Sequence, residues 1–378
     1  MVIPYGKQII DQEDIDEVVK VLRSDIITGG PKVAEFERKF AEYVGSKYAV
    51  AVDSGTAALH MCCLAAGIGE NDEVLTTPMT FAASANCVLY CNGKPVFVDV
   101  NEQGLIDENE IEEKITKKTK AILPVHYGGL PCNMEKIRAI ANKHSLIVIE
   151  DSCHALGARY KDSRIGDCKY ADMSVFSFHP VKHITTGEGG MITTNSGEIY
   201  QKLTDLRNHG MIKDHQRLLE KDEGPWYYEI QNLGYNYRIT DFQCALGLSQ
   251  LRKIGKFIAR RREIASKYIE KLKNVPGLEL IGENSDQFNA YHLFIIKTGG
   301  KEKRLELFNH LKTEGILCQI HYIPVYWHPI YQKLGFKKGS CPNAERFYER
   351  IISLPIYPSL SNEEQSKVID SLRKAYKK

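Results

Sequence analysis

One lysine of this chain lies between a run of strand-forming residues and a glycine-rich turn. Lys182 follows Phe176-Ser177-Phe178-His179-Pro180-Val181 and precedes Gly187-Glu188-Gly189-Gly190. An amine held at the end of a strand can form an imine with an aldehyde cofactor. The chain contains 50 Lys and Arg residues, and most of them must be solvated surface charge. The assignment therefore depends on the motifs around this lysine.

One carboxylate is placed to act on the same cofactor. Asp151 comes just after the apolar run 146–149, at the strand end where open α/β sheets form their ligand crevice. If a pyridine ring lies there, an ionised Asp151 keeps the ring nitrogen protonated and makes the ring an electron sink. Lys182 follows the next predicted strand, so both side chains can reach one crevice, where a neutral lysine could carry a proton. The simpler alternative is a carboxylate that forms a salt bridge or caps a helix.

A short turn is a candidate phosphate site. Ser54-Gly55-Thr56 joins a predicted strand to a predicted helix, so backbone N–H groups and a hydroxyl would face an anion at the helix N-terminus. The turn is neither a Walker A loop nor G-x-G-x-x-G, which argues against nucleoside triphosphates and nicotinamide cofactors. Ser177 could add a hydroxyl, and Phe81, after another strand end, could lie flat against a ring. An ordinary turn and a core aromatic remain the alternatives for these residues.

The elements that must position these residues alternate along the first half of the chain. Asp11 can cap a first helix, and a further helix is predicted over 134–144. Apolar runs without alternation predict strands that are covered on both faces. The pattern predicts an α/β fold with a mostly parallel sheet between helices. The strand-like runs are 47–52, 74–77, 96–98, 121–125, 146–149 and 173–176.

The pattern changes after Tyr237. Thr240-Asp241-Phe242-Gln243 has the spacing of a capping box and begins a long predicted helix that ends near Lys273. We therefore expect a large domain over 1–239 and a smaller C-terminal α/β domain over 240–378 that includes this linking helix. The further predicted strands are 290–296 and 317–322, and the further predicted helices are 303–311, 344–351 and 363–374.

Composition excludes several classes of partner. The net charge is +2, from 50 basic and 48 acidic residues, which provides no broad footprint for nucleic acid or an anionic membrane. The N-terminus lacks the layout of a signal peptide and no apolar run reaches membrane-spanning length, so we expect a cytoplasmic location. The ten cysteines include no C-x-x-C and are interpreted as reduced thiols, and no metal site is predicted.

Five motifs in order resemble the DegT/StrS family of pyridoxal phosphate (PLP)-dependent sugar aminotransferases. The resemblance runs from about Ile3 to the C-terminal helix. It implies the aspartate aminotransferase fold (fold type I) and a homodimer with active sites at the subunit interface. The motifs are Ser54-Gly55-Thr56, Thr80-Phe81, Glu150-Asp151-Ser152-Cys153-His154-Ala155-Leu156-Gly157, Ser177-Phe178-His179-Pro180-Val181-Lys182 with its glycine-rich tail, and Gly234-Tyr235-Asn236-Tyr237-Arg238.

The resemblance also implies a role for individual residues. Lys182 would form the Schiff base with PLP, and Asp151 would contact the pyridine nitrogen. Sugar dehydratases of the family carry a histidine in place of the lysine, so Lys182 favours amino transfer. The other implied cofactor contacts are His154 beside the phenolate, Phe81 stacked on the ring, Gly55, Thr56 and Ser177 at the phosphate, and Asn236 from the partner subunit.

The substrate is also suggested by resemblance. The segments 26–31, 80–87 and 321–326 look most like the PseC branch, whose members aminate C4 of a UDP-linked 4-keto-6-deoxy-N-acetylhexosamine with glutamate as donor. Thr28 and His321 are therefore candidate substrate contacts. Trp226, in the charge-rich segment 213–229, could cover the site and stack on a base, although a plain surface hairpin is the alternative. Another 3- or 4-keto dTDP- or GDP-sugar, or a PLP-binding sensor or scaffold without turnover, also remain open.

Overall fold

The computed structural model describes residues 2–220 and 223–376. Lys221 and Asp222, part of the predicted exposed segment 213–229, lie outside the described residues. The helices are α1 Gln12–Leu22, α2 Pro31–Val44, α3 Gly55–Ala65, α4 Ala83–Tyr90, α5 Met134–His144, α6 Gly197–Arg207, α7 Asp241–Leu272, α8 Lys301–Thr313, α9 Pro329–Lys333, α10 Pro342–Arg350 and α11 Asn362–Tyr376, with short 3-10 helices at Glu112–Lys114, Tyr127–Gly129 and Val325–Trp327.

The strands form one large sheet and three small ones. They are β1 Tyr48–Val52, β2 Glu73–Thr76, β3 Lys94–Phe97, β4 Thr119–Leu123, β5 Ile147–Asp151, β6 Arg159–Tyr160, β7 Ser163–Arg164, β8 Met173–Ser177, β9 Gly190–Thr194, β10 Met211–Ile212, β11 Glu229–Ile230, β12 Glu279–Leu280, β13 Gln287–Phe288, β14 Phe294–Lys297 and β15 Ile351–Leu354. Every strand-like run that was predicted before residue 180 overlaps one of these strands.

The large sheet has seven strands in the order β1-β9-β8-β5-β4-β2-β3. Strands β3, β2, β4, β5 and β8 run parallel to one another. Strand β9 runs antiparallel to both β1 and β8, and the sequence pattern did not predict this strand. The prediction of a mostly parallel sheet is confirmed. Its carboxyl edge brings the ends of β5 and β8 together, which positions the residues that follow them.

Apolar side chains on both faces of this sheet are buried, which explains the unbroken apolar runs. Along β1, Ala49 and Ala51 belong to one core, which also includes side chains of α2, α5 and α7. Val50 and Val52 belong to a second core, formed with α3 and α4. Since successive side chains of a strand point to opposite faces, a strand covered by helices on both sides must be apolar at every position.

The C-terminal part contains a second, smaller layer of strands. Helix α7 begins after the capping residue Thr240, whose hydroxyl accepts a hydrogen bond from the Gln243 N–H, and this confirms the predicted long helix. Strands β12, β14 and β15 form a three-stranded sheet against which α8 and α10 pack. The prediction of a strand over 317–322 is wrong, because that segment makes only an isolated bridge between Gln319 and Ser353. The domain boundary at 239/240 stays a prediction.

Three further properties of the described residues concern membrane spans, metal ligands and disulfides. Across residues 2–220 and 223–376, no helix has the length and apolar character needed to cross a membrane. The same residues include no group of His, Cys, Asp and Glu side chains that could hold a metal ion. All ten cysteines are free thiols, and most are buried.

Candidate active site

A cavity of about 360 Å³ opens at the carboxyl ends of β5 and β8. Most of the side chains predicted to bind cofactor or substrate line it, although they come from distant parts of the sequence. Thr28, Trp226 and Asn236 are not among its lining residues. The predicted residues that line the cavity are Gly55, Thr56, Phe81, Asp151, His154, Ser177, Lys182 and His321.

Asp151 is the last residue of β5 and is held by two hydrogen bonds. The Ser84 hydroxyl donates to Asp151 Oδ2 at 2.6 Å, and the Cys153 N–H donates to Oδ1 at 3.1 Å. The Thr80 hydroxyl lies 2.7 Å from Ser84 Oγ and donates to it, since the Ser84 hydrogen is already used. Within the described part of the chain, no Lys, Arg or His forms an ion pair with this buried carboxylate. The carboxylate is therefore oriented without a charged partner, which leaves it free to bind a cation in the cavity.

Lys182 lies on a loop that leaves and re-enters the sheet at one point. The Phe178 N–H donates to Gly189 O at 2.8 Å and closes the base of this loop. Burial lowers the pKa of Lys182, although the nearby Asp151 opposes the shift. Gly190, which begins β9, has a structural role, because a Cβ there would lie 2.5 Å from Ser54 O. This glycine lets β9 pass directly against the turn that begins α3.

The turn at the start of α3 has the properties of an anion site. Ser54 Oγ accepts a hydrogen bond from the Ala57 N–H at 3.1 Å, while the N–H groups of Gly55 and Thr56 have no acceptor within the helix. A Cβ at Gly55 would lie 2.9 Å from the Ser177 Cβ, so only glycine fits between the two segments. The helix dipole adds partial positive charge at this end. Backbone N–H groups and hydroxyls from two segments therefore converge on the cavity.

Histidine and tyrosine side chains form another wall of the cavity. His154 Nδ1 accepts from the Gly128 N–H at 3.3 Å, and Nε2 lies 3.1 Å from the Tyr322 hydroxyl. Burial lowers the pKa of His154 well below its usual range. His321 Nδ1 lies 2.9 Å from Ser353 Oγ, and burial lowers the pKa of His321 to about 4. These imidazoles are therefore neutral near pH 7.

Sequence reasoning missed several side chains around the cavity. Ser84 lies in a segment that was considered only for Phe81, and its spacing of four residues from Thr80 on a helical start is the signal that could have indicated it. Tyr322 follows His321 in the segment wrongly predicted as a strand. Tyr5 and His292 also line the cavity, and no local pattern marks them.

The three predicted residues outside the cavity are all exposed. Asn236 lies between Tyr235 and Tyr237, whose rings stack at 5.0 Å and thereby fix the loop that presents it. Thr28 forms a bridge with Thr240, and its neighbour Gly29 lines the same surface cleft as Arg238. The Trp226 side chain is 77% exposed, on the segment between β10 and β11.

The residues around the cavity fit pyridoxal phosphate. The Gly55 turn offers donors to a phosphate, and Asp151 offers an anionic acceptor to a protonated ring nitrogen. The Phe81 side chain is 62% exposed beside the cavity, an unusual position for a large aromatic unless a flat ring covers it. Lys182 supplies an amine with a lowered pKa within the same space. Each part of the cofactor thus has a chemically matched group.

The chain is similar in sequence to a family of aminotransferases and to several known proteins. The DegT/DnrJ/EryC1/StrS aminotransferase family matches residues 8–373. The spore coat polysaccharide biosynthesis protein SpsC of Bacillus subtilis is 42% identical over 377 residues, 98% of this chain and 96% of SpsC. The UDP-4-amino-4,6-dideoxy-N-acetyl-beta-L-altrosamine transaminase of Campylobacter jejuni is 39% identical over 373 residues, 97% of this chain and 96% of the transaminase. GDP-perosamine synthase of Escherichia coli O157:H7 is 39% identical over 352 residues, 93% and 92% of the two chains.

Solved structures of aminotransferases also match the chain along its whole length. PseC of Helicobacter pylori, an aminotransferase involved in the biosynthesis of pseudoaminic acid, matches with a TM-score of 0.92 and 34% identity over 100% of both chains. The PLP form of the sugar aminotransferase Spr1654 of Streptococcus pneumoniae, described as putative, matches with a TM-score of 0.93 and 30% identity over 100% of this chain and 99% of that one.

The match covers nearly the whole chain, by sequence and by structure. It confirms the resemblance to a family of PLP-dependent sugar aminotransferases, the fold type I architecture and the use of PLP. The chain therefore belongs to the DegT/DnrJ/EryC1/StrS aminotransferase family.

Proposed function

We propose that this enzyme transfers the amino group of L-glutamate to the C4 keto carbon of a UDP-linked 4-keto-6-deoxy-N-acetylhexosamine, in a pathway of the pseudaminic acid type. The observation that carries the proposal is the convergence of Lys182 and Asp151 on one cavity beside the Gly55 turn. Similarity to the Campylobacter transaminase and to PseC supports the choice of acceptor.

Lys182 is the proposed proton carrier in both halves of a ping-pong reaction. Bound PLP supplies a carbonyl that takes up the amino group and a ring that accepts the electrons left when the substrate carbon loses its proton. The Lys182 amine takes that proton and returns it to the neighbouring carbon. Its lowered pKa increases the neutral fraction that can accept a proton near pH 7. The Asp151 carboxylate holds the proton on the ring nitrogen.

The other residues of the cavity bind and orient. The N–H groups of Gly55 and Thr56 and the Ser177 hydroxyl hold the phosphate, and Phe81 covers one face of the ring and excludes water. His321, neutral because of its lowered pKa, is positioned to hydrogen-bond the sugar nucleotide. These assignments rest on the chemistry of each group and on its place at the cavity.

We further propose that the active enzyme is a homodimer whose subunits share their sites. Asn236, Thr28 and Trp226 are exposed and do not line the cavity of their own chain, which supports a site on the partner subunit as their place of action. Large apolar side chains are exposed near them: Ile26 at 51%, Ile27 at 46% and Leu233 at 83%. A second copy of the chain would cover such side chains.

Mixed subunits test this shared site. The Lys182→Ala variant alone should be inactive, and Asn236→Ala alone should bind PLP roughly tenfold to a hundredfold more weakly, because one charge-assisted hydrogen bond is lost. The assay uses a PLP concentration that loads intact sites and leaves Asn236→Ala sites largely empty. When equal amounts of the two variants exchange subunits, half of the dimers are mixed and each has one intact site, so activity should rise to about a quarter of wild type. No recovery after confirmed exchange would contradict a site completed by the partner's Asn236.

A second acceptor is supported by a specific similarity. GDP-perosamine synthase and the Campylobacter transaminase are equally similar to this chain in sequence. A 3- or 4-keto dTDP- or GDP-sugar is therefore the second candidate acceptor. A protein that binds PLP as a sensor or scaffold, without turnover, is the non-enzymatic alternative.

Two measurements separate these candidates. Incubation with L-glutamate alone should remove the visible absorbance of the bound cofactor and release 2-oxoglutarate, whereas a sensor or scaffold would do neither. Mass spectrometry of products from UDP-, dTDP- and GDP-linked keto sugars should then find amination fastest with the UDP-linked 4-keto-6-deoxy-N-acetylhexosamine. Faster amination of a dTDP- or GDP-sugar would overturn the proposed acceptor and leave the aminotransferase assignment intact.

A further inference from the structure

Two side chains on the wall of the cavity and one backbone amide behind them form a chain of hydrogen bonds. The Gly128 amide lies 3.3 Å from His154 Nδ1, and His154 Nε2 lies 3.1 Å from the Tyr322 hydroxyl oxygen. A backbone N–H can only donate, so His154 Nδ1 must be an acceptor and carries no proton. The direction of the first bond is therefore fixed by the chemistry of the amide.

This direction determines where the remaining hydrogens lie. Burial lowers the pKa of His154 well below its usual range, so the ring is neutral and its one proton resides on Nε2. That N–H donates to the oxygen of Tyr322. The Tyr322 hydroxyl then keeps its own hydrogen for another acceptor, and no residue in 2–220 or 223–376 accepts it. Burial also raises the pKa of Tyr322, so the phenol stays protonated.

The unused hydrogen lies at the site where PLP must bind. Tyr322 lines the same cavity as Lys182 and Asp151, and its ring centroid is 6.2 Å from that of Phe81, the proposed cover of the cofactor. Once its aldehyde has formed an imine and its ring nitrogen is protonated, PLP presents two kinds of oxygen acceptor, those of the phosphate and the phenolic oxygen. The phosphate is already matched to the Gly55 turn.

We propose that Tyr322 donates a hydrogen bond to the phenolic oxygen of bound PLP, and that His154 acts through Tyr322 as a positioning residue. The family resemblance makes His154 the neighbour of this oxygen, but its Nε2 hydrogen is committed to Tyr322. The inference rests on the proposed roles of Lys182 and Asp151 at the cofactor, and it does not depend on which sugar is aminated.

The expected consequence is spectroscopic. A hydrogen-bond donor to the phenolic oxygen stabilises the anionic form of this oxygen. Loss of the donor makes the oxygen more basic, so the bound cofactor keeps its proton to higher pH. The pH midpoint of the visible absorbance change of the holoenzyme should rise by roughly one to two units in Tyr322→Phe, as expected for one hydrogen bond to a charged group. The other titratable groups around this position are unchanged in the variant, and they are Tyr5, Tyr127, Asp151, Cys153, His154, His179, Lys182, Glu188, His292 and His321.

The test compares holoenzymes without substrate. Tyr5→Phe is the matched control, because Tyr5 lines the same cavity but does not belong to the hydrogen-bonded chain of Gly128, His154 and Tyr322. The pH midpoint of this variant should equal that of wild type. His154→Phe should give a smaller rise than Tyr322→Phe, and the double variant should show no more than Tyr322→Phe alone.

Two results would overturn the proposal. A full rise in His154→Phe with none in Tyr322→Phe would make His154 the direct donor. An equal rise in Tyr5→Phe and Tyr322→Phe would show a general effect of the cavity wall. If His154→Phe fails to fold, the comparison of the two tyrosine variants decides alone. A wild-type holoenzyme with no visible imine absorbance at any pH would instead contradict the proposed role of Lys182, which keeps the two failures distinct.

Discussion

Replacing Lys182 with alanine is expected to lower the rate of amino transfer by about four orders of magnitude or more. Positioned general acid–base catalysis alone contributes roughly a hundredfold to ten-thousandfold, and the covalent role of the amine is lost as well. No other lysine lines the cavity in the described part of the chain, so no neighbour can take over. The measured quantity is the 2-oxoglutarate that PLP-loaded enzyme releases in a single turnover with glutamate.

A surface lysine provides the control for this loss. Lys169 forms an exposed ion pair with Asp162 at 2.9 Å, so Lys169→Ala should keep wild-type turnover. Borohydride reduction of the wild-type holoenzyme should attach the cofactor to Lys182 alone, as read by peptide mass spectrometry. Normal turnover by Lys182→Ala, or a label on a different side chain, would refute the assignment.

Removal of the Asp151 carboxylate should produce the second-largest effect, on cofactor affinity. In Asp151→Ala a protonated ring nitrogen would have no anion beside it, and breaking a buried charge pair costs roughly 3–5 kcal/mol. The dissociation constant of PLP should therefore rise by about two to four orders of magnitude. Titration of the apoenzyme with PLP, followed by absorbance, gives this constant directly.

The amide variant separates charge from shape at this position. Asp151→Asn keeps the volume of the side chain and an oxygen that can accept from Ser84, but it removes the negative charge. It should also bind PLP weakly, and its apoenzyme should lose roughly 1–3 kcal/mol of stability, because the amide nitrogen cannot accept the hydrogen bond of the Cys153 N–H. Wild-type affinity in Asp151→Asn would mean that this carboxylate does not hold the ring nitrogen.

Much of the fold could be predicted because its strands are buried on both faces. Unbroken apolar runs such as 121–125 and 173–176 identify parallel strands, and the residues that follow such strands meet at one edge. That reasoning brought Asp151 and Lys182 together correctly. It missed β9, whose short run, Gly190–Thr194, directly continues the glycine-rich tail.

The remaining errors arise from contacts between distant segments. The run 317–322 has the composition of a strand, but it follows the outer edge of β15 only at Gln319, which forms an isolated bridge with Ser353. Tyr322 was consequently not considered as a site residue. Ser84 and His292 acquire their importance from a carboxylate and an imidazole far away in sequence: Ser84 bonds to Asp151, and the His292 ring lies 4.3 Å from that of His154. Sequence periodicity contains no such information.

The hydrogen bonds at the base of the Lys182 loop isolate the strands of the sheet from changes at the tip of the loop. The Phe178 N–H donates to Gly189 O, and the Thr186 N–H donates to Phe178 O at 3.1 Å, so the two ends of the excursion meet at the sheet. When the ends of a loop are pinned together, a change in its length costs little additional entropy and leaves the strand register untouched. Residues 183–186 within this loop are buried, so changes are tolerated best at its exposed turn, Gly187 and Glu188, while the amine and the scaffold beneath it are preserved.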